Sequence, residues 1–202
     1  LEIATTQGTI VEKAPVSWYG EDKAPVQSMF QLKHDTLDFY LGDYDNSQTL
    51  TIDPNLQWAT YYGGQEFDSG EAIALGTNGE IYLTGRTSSI NMIASVGSHQ
   101  PNLEGTRDAF VTKFDSSGTR LWSTYYGGNF TDRAKAIAVT PGGAVYIAGQ
   151  TNSTNAIATP GSYQPNSGGG TYDAFLVKFN NSGTRLWGTF FGGSSIDLAN
   201  GV

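Results

Sequence analysis

The chain has 202 residues and a formal charge of -8, with only 15% charged residues against 26 Gly, 4 Trp, 11 Tyr and 10 Phe. That length allows one or two domains with a sizeable core, and the acidic balance argues against nucleic acid or an anionic membrane as partner, since both need clustered Lys and Arg. Without cysteine there is no disulfide, thiolate ligand or cysteine nucleophile, and no apolar run is long enough to span a bilayer.

Few charges with many glycines and aromatics predict strands and turns rather than helices. The first residue is Leu and no signal-peptide pattern follows, so the chain reads as a piece of something longer. Residues 1–54 do not repeat. Their segments "LEIATTQGTIVEKAPVSWYG" and "MFQLKHDTLDFYLGDYDNSQTLTIDP" alternate with period 2, broken by Gly, Pro and Asp-Asn, which predicts short strands. Within them "GDYDNSQ" places Asp43, Asp45 and Asn46 like the start of a calcium loop. The glycine and distal glutamate of such a loop are missing, so an Asx-rich hairpin turn is the stronger reading and a Ca²⁺ site the weaker.

From Leu56 the chain repeats itself. "LQWATYYGG" at 56–64 returns as "RLWSTYYGG" at 120–128 and as "RLWGTFFGG" at 185–193, placing Trp58, Trp122 and Trp187 at intervals of 64 and 65 residues. The glycine pairs Gly63-Gly64, Gly127-Gly128 and Gly192-Gly193 are each followed at one offset by Asp68, Asp132 and Asp197. The units run over about 56–120, 121–185 and a partial 186–202, and each full unit reads as four strands. In the first, "EAIAL" and "EIYLTG" flank an Asn78-Gly79 hairpin, and "DAFVTKF" and "TRLWSTYY" flank "DSSG", where Gly118 can take a positive φ. No stretch shows a capped 3.6-residue period.

Four antiparallel strands repeated radially predict an all-β fold of β-propeller type, two full blades and part of a third after an N-terminal β-rich segment. A sandwich or a stacked solenoid is the competing architecture. "AIA" suits a crowded strand near an axis, and the Trp and paired aromatics suit the outer strand, so all three tryptophans are expected to be largely buried. The change from Tyr-Tyr to Phe190-Phe191 keeps the ring and drops the hydroxyl, which favours packing over polar recognition.

The combination W-x-T-Y-Y-G-G, Asp, A-I-A-V, V-Y-I-A-G-x-T and D-A-F-x-x-K-F over residues 56–202 resembles the SBBP repeat, a bacterial family named for a seven-bladed β-propeller. The resemblance implies a secreted protein at a bacterial cell surface and no single activity. "NMIAS" at 91–95 and "NAIAT" at 155–159 stand where the pattern has Phe-Pro after the Asn, which leaves the course of that loop open. Residues 1–54 look like the end of the β-rich domain that often precedes such repeats.

Candidate chemistry is sparse. His34 and His99 lie apart and outside any metal-ligand spacing, and no G-x-S-x-G, H-E-x-x-H or P-loop occurs. Asp68, Asp132 and Asp197 recur once per unit, which favours holding a turn by accepting backbone N–H groups over ligating Ca²⁺ or acting as acids. Asp108 and Asp173 are read likewise. "DSSGTRLW" differs by one residue from an Asp-box and reads as a plain hairpin, and the sequons at Asn129, Asn152 and Asn180 carry no meaning in a bacterial protein. The segments 87–107 and 151–172 differ most between units and are the natural place for binding.

The expectation is therefore a non-enzymatic extracellular or cell-surface scaffold without a cofactor, binding a glycan or protein through its loops. Two alternatives stand beside it: a structural subunit that assembles with further blades or other copies, and a fragment of a propeller-bearing polysaccharide-active enzyme. An open array leaves blade faces exposed, and Leu56–Tyr62 is expected to act as an orphan fourth strand.

Overall fold

The computed structural model describes residues 2–5, 8–11, 15–33, 36–53 and 58–202. They fall into two compact units, Leu1–Ala59 and Thr60–Val202, whose described regular structure is all β. In the first unit β1 (Glu2–Thr5) pairs with β2 (Gly8–Val11). Then come β3 (Val16–Tyr19), β4 (Ala24–Val26), β5 (Ser28–Lys33), β6 (Thr36–Leu41) and β7 (Leu50–Asp53). β3 lies between β4 and β7, and β5 pairs with β6, all antiparallel.

The second unit contains two four-stranded antiparallel meanders. The first is β8 (Asp68–Leu75), β9 (Ile81–Thr87), β10 (Asp108–Phe114) and β11 (Arg120–Tyr126). The second is β12 (Asp132–Val139), β13 (Val145–Thr151), β14 (Asp173–Phe179) and β15 (Arg185–Phe191). The first strand of each begins three residues earlier than its apolar run. A bulge between Gly70 and Ala72, repeated between Ala134 and Ala136, lets the ladder continue to Asp68↔Thr87 and Asp132↔Thr151. Gly79 and Gly118 close the two hairpins at φ of 78° and 86°, a region that favours glycine. No helix of the described residues is long and apolar enough to cross a membrane.

The segment expected as an orphan fourth strand is a correction. Leu56 and Gln57 lie outside the described residues, and Trp58–Gly64 belongs to no strand. A fourth strand needs a third beside it, and among the described residues no strand pairs with Trp58–Gly64.

The two sheets pack face to face. One core joins Tyr82, Val111 and Tyr126 of the first repeat to Ile147, Phe175 and Phe179 of the second. The opposite face of the first sheet holds Ile93, Phe110 and Tyr125, with Tyr62 and Leu83 packed against them. Covered on both faces, β10 buries all seven of its residues. β12 runs alongside β8 and β9, where Ala134 and Ala136 permit close approach.

Candidate functional site

The aromatic pair of the repeat motif builds the junction between repeats. Tyr126 is fully buried, its ring 5.3 Å from Phe175 and 5.9 Å, edge-on, from Phe179. Tyr62 meets Phe110 and Phe114 at 5.1 and 5.9 Å in the same way. The hydroxyls are used too, contrary to the expectation from the Tyr-to-Phe exchange. Tyr62 and Tyr126 donate to the carbonyls of Ile93 and Ile157 at 3.0 and 2.6 Å, and Tyr125 donates to Ser89 at 2.7 Å. Burial raises the Tyr62, Tyr125 and Tyr126 phenols, the second to about 12.

Trp58, Trp122 and Trp187 are each half-buried rather than largely buried. Trp122 sits at the rim of the junction, edge-on to Tyr82 at 6.3 Å, with Nε1 donating to the Asn181 carbonyl at 2.9 Å. An indole with a polar edge fits there because its N–H needs a partner while its rings cover Gly183.

The glycine-aspartate motif is a turn clamp. Asp68 Oδ2 accepts from Gly64 N at 2.8 Å, Asp132 Oδ2 from Gly128 N at 2.9 Å, and Asp197 Oδ2 from Gly193 N at 2.8 Å. Ser89 and Ser153 hydroxyls add a second bond to the first two at 2.9 Å. A Cβ on Gly127 would lie 2.5 Å from Asp132 Oδ2 and 2.7 Å from Asp108 Oδ1, and one on Gly64 would lie 2.5 Å from the Asn91 carbonyl. A Cβ on Gly63 would lie 2.6 Å from Asp68 Oδ2, and one on Gly192 2.3 Å from Asp173 Oδ1, whereas Gly193 faces open space. Asp108 accepts from Gln100 Nε2 at 2.6 Å and from Glu104 N at 3.0 Å. Burial raises its carboxyl to about 7 against the bond from Glu104, and nearby Asp132 pushes the same way. Burial likewise raises Asp132, opposed by its hydrogen bonds.

The variable loops are pinned at the same places in both repeats. Met92 and Ala156 turn back at φ of 64° and 63°, and their carbonyls accept from Arg120 and Arg185 at 2.8 and 2.7 Å. That pair fixes the course of the loop at 91–95 and at 155–159. Gln100 and Gln164 accept from Gly127 N and Gly192 N at 3.0 Å. The tips face solvent and differ: Ile90, Met92 and Val96 in one copy, Tyr163 in the other, are all exposed.

The outer face of the second sheet carries an open hollow of about 710 Å³ around Pro160, Tyr163, Leu176, Trp187 and Phe191. Phe191 is 64% exposed and stacks on Tyr163 at 6.0 Å. The corresponding face of the first sheet is the one covered by the second.

The remaining candidates have local roles. Asp45 Oδ1 accepts from Ser47 N and Oγ at 2.9 and 2.7 Å, and Oδ2 from Gln48 Nε2 at 3.0 Å, an Asx turn that lowers its carboxyl. Asp43 and Asn46 are exposed in the same turn. Asp115 closes the β10–β11 hairpin through Ser117 and Thr119. Among the described residues no three His, Cys, Asp or Glu side chains gather as for a metal ion. His34 lies outside the described residues. His99 packs edge-on against Phe179 at 6.0 Å, and burial lowers its imidazole to about 4.

The sequence signals missed were the residues that hold across the junction. Lys113 is buried, with Nζ 2.6 Å from Asn181 Oδ1 and 3.3 Å from Glu80 Oε1. Its recurrence at Lys178 was the available clue. A family described as a domain of unknown function (DUF7948) matches residues 1–55. Over 130 residues, 64% of this chain, the sequence is 30% identical to a regulatory protein, FlaEY, of Caulobacter vibrioides, and it spans 13% of that protein's length.

Proposed function

We propose that the chain is part of a non-catalytic extracellular or cell-surface scaffold of β-propeller type, whose stacked repeats present loops to a glycan or protein ligand and need no cofactor. The observation that carries this reading is a division of labour within the loops. Arg120 and Arg185, with Gln100 and Gln164, hold both copies at the same points, while the exposed tips differ, Ile90 and Val96 against Thr154 and Pro160. Constant anchors with variable tips on a rigid sheet are how loops carry recognition. The SBBP resemblance supports the bacterial surface location.

The test is a glycan array and a surface-protein pull-down with the wild-type chain and with Ile90→Ser/Val96→Ser. Binding lost in the variant at unchanged far-UV dichroism supports the proposal. Absence of any ligand, or binding indifferent to the tips, overturns it. Assembly through the open face is a second reading, favoured by the exposure of Phe191 and the Trp187 hollow.

A further inference from the structure

The geometry points to the outer face of the second sheet, around Tyr146, Lys178 and Trp187, as the docking site for one further repeat of this sequence pattern, selected by an Asn at the place Asn181 holds in its own repeat. This rests on the scaffold reading only in taking repeats as stacked face to face.

The first junction shows how selection works. Asn181 lies in the β14–β15 turn and is gripped three times by the preceding repeat. Its Oδ1 accepts from Lys113 Nζ at 2.6 Å and from Tyr82 OH at 3.1 Å, and its carbonyl accepts from Trp122 Nε1 at 2.9 Å. Lys113 is 4% exposed, with Nζ 5.2 Å from the Tyr82 ring. Glu80 Oε1, 3.3 Å away in the same repeat, is the ammonium's other acceptor. A buried ammonium that loses one of its two acceptors is destabilised, which selects for a side-chain oxygen on the incoming turn at that point. It must also carry Gly two residues on, because a Cβ at Gly183 would lie 2.7 Å from Trp122 Cε3.

The Tyr, Trp and Lys of that clasp are already assembled on the outer face, where Ala144 stands at the Glu80 position and offers no side-chain acceptor. Tyr146 and Trp187 meet at 6.2 Å and 66°, against 6.3 Å and 68° for Tyr82 and Trp122. Lys178 Nζ lies 5.2 Å from the Tyr146 ring, as Lys113 does from Tyr82. Around it Phe191 is 64% exposed where Tyr126 is fully buried, and Tyr163 is 82% exposed where His99 packs on Phe179. The start of the third unit is already seated beside it. Ala199 N donates to the Gly149 carbonyl of β13 at 3.3 Å, and Lys135 Nζ to Asn200 Oδ1 at 3.1 Å.

The occupant is a further repeat rather than the first repeat of a second copy. That repeat holds Ser116 at the Asn181 position, with a shorter side chain. The face with which it would dock is already covered, because Tyr62 packs on Phe110 and Phe114 as Tyr126 packs on Phe175 and Phe179.

The experiment extends the chain by repeating residues 129–193 after Gly193, with the appended copy of Lys178 changed to Arg, and reads acylation of the original Lys178 by mass spectrometry. The Lys178 rate should fall by about tenfold toward that of Lys113, as a side chain that reacts only through local opening would. Ser in place of the appended Asn should restore most of that rate. Unchanged Lys178 reactivity beside a folded appended repeat overturns the proposal. So does a dimer of the unextended chain that protects Lys178, since the occupant would then be a second copy. As a check that needs no extension, Asn181→Ser in the 202-residue chain should raise Lys113 acylation by about tenfold, and an unchanged rate overturns the selection rule. Failure of loop-ligand binding would leave these rates unaffected.

Discussion

Tyr126 and Phe191 occupy one position of the repeat in two settings, so truncating each measures what a covering repeat contributes. Tyr126 is fully buried between Phe175 and Phe179, with its hydroxyl on the Ile157 carbonyl, whereas Phe191 touches Tyr163 and is otherwise open to solvent. Removing a buried aromatic side chain costs about 3–5 kcal/mol through lost burial and the cavity left behind, so Tyr126→Ala should fall in that range. Tyr126→Phe keeps the ring and strands one carbonyl, for about 1–3 kcal/mol. Phe191→Ala should stay within about 0.5 kcal/mol of wild type, as surface substitutions do. Equilibrium urea unfolding at pH 7, followed by tryptophan fluorescence and far-UV dichroism, reads all three if the two probes coincide. Equal losses for Tyr126→Ala and Phe191→Ala would refute the face-to-face packing. If Tyr126→Ala does not fold, the contrast between Tyr126→Phe and Phe191→Ala still decides it.

Two further outcomes follow from the turn clamp and the titrating groups. Gly127→Ala should destabilise by about 2–4 kcal/mol, because its Cβ would press on two buried carboxylates, whereas Gly193→Ala, which meets nothing within 4 Å, should be silent in the same unfolding assay. The pH profile should bend two ways. His99, lowered from 6.5 to about 4, contributes stability that is present above 6.5 and lost as pH falls through about 4; Asp108, raised from 3.8 to about 7, contributes stability that is present below 3.8 and lost as pH rises through about 7. His99→Tyr, the residue of the next repeat, should remove the acid limb, and Asp108→Asn the neutral one, in melting temperatures taken from pH 3.5 to 8.

The strands were legible because hydrophobic period and turn chemistry agree locally. Asn78-Gly79 and Ser117-Gly118 place two hairpins, and "DAF" opens a third strand in both repeats at the residue where the ladder begins. The aspartate clamps were legible as well, since a carboxylate four residues after a glycine reaches its own turn. The holds across the junction were not. Lys113 alternates along β10 like a solvent-facing residue, and its acceptor across the junction lies 68 residues away. His99 is half-buried against a ring 80 positions further on. Nothing local to either residue announces those partners. Arg120 and Arg185 were hidden similarly, because the carbonyls they hold belong to loops whose left-handed Met92 and Ala156 have no glycine to mark them.

The aromatic pair shows how sequence comparison can mislead about chemistry while being right that the rings serve packing. Exchange of Tyr for Phe in the third copy suggested a ring with an idle hydroxyl. Each tyrosine hydroxyl of the second copy instead holds a different loop: Tyr125 reaches back to Ser89 after β9 of its own sheet, and Tyr126 reaches forward to Ile157 of the next. One pair therefore fastens a loop to its own repeat and the following loop to the preceding repeat. Phe190 and Phe191 can do neither. A repeat docked on β15 would keep the apolar contact and lose a hydrogen bond worth about 1 kcal/mol. More of its hold would then rest on Lys178 and an incoming Asn, which is why Phe191 and the Asn requirement belong to one argument about the same face.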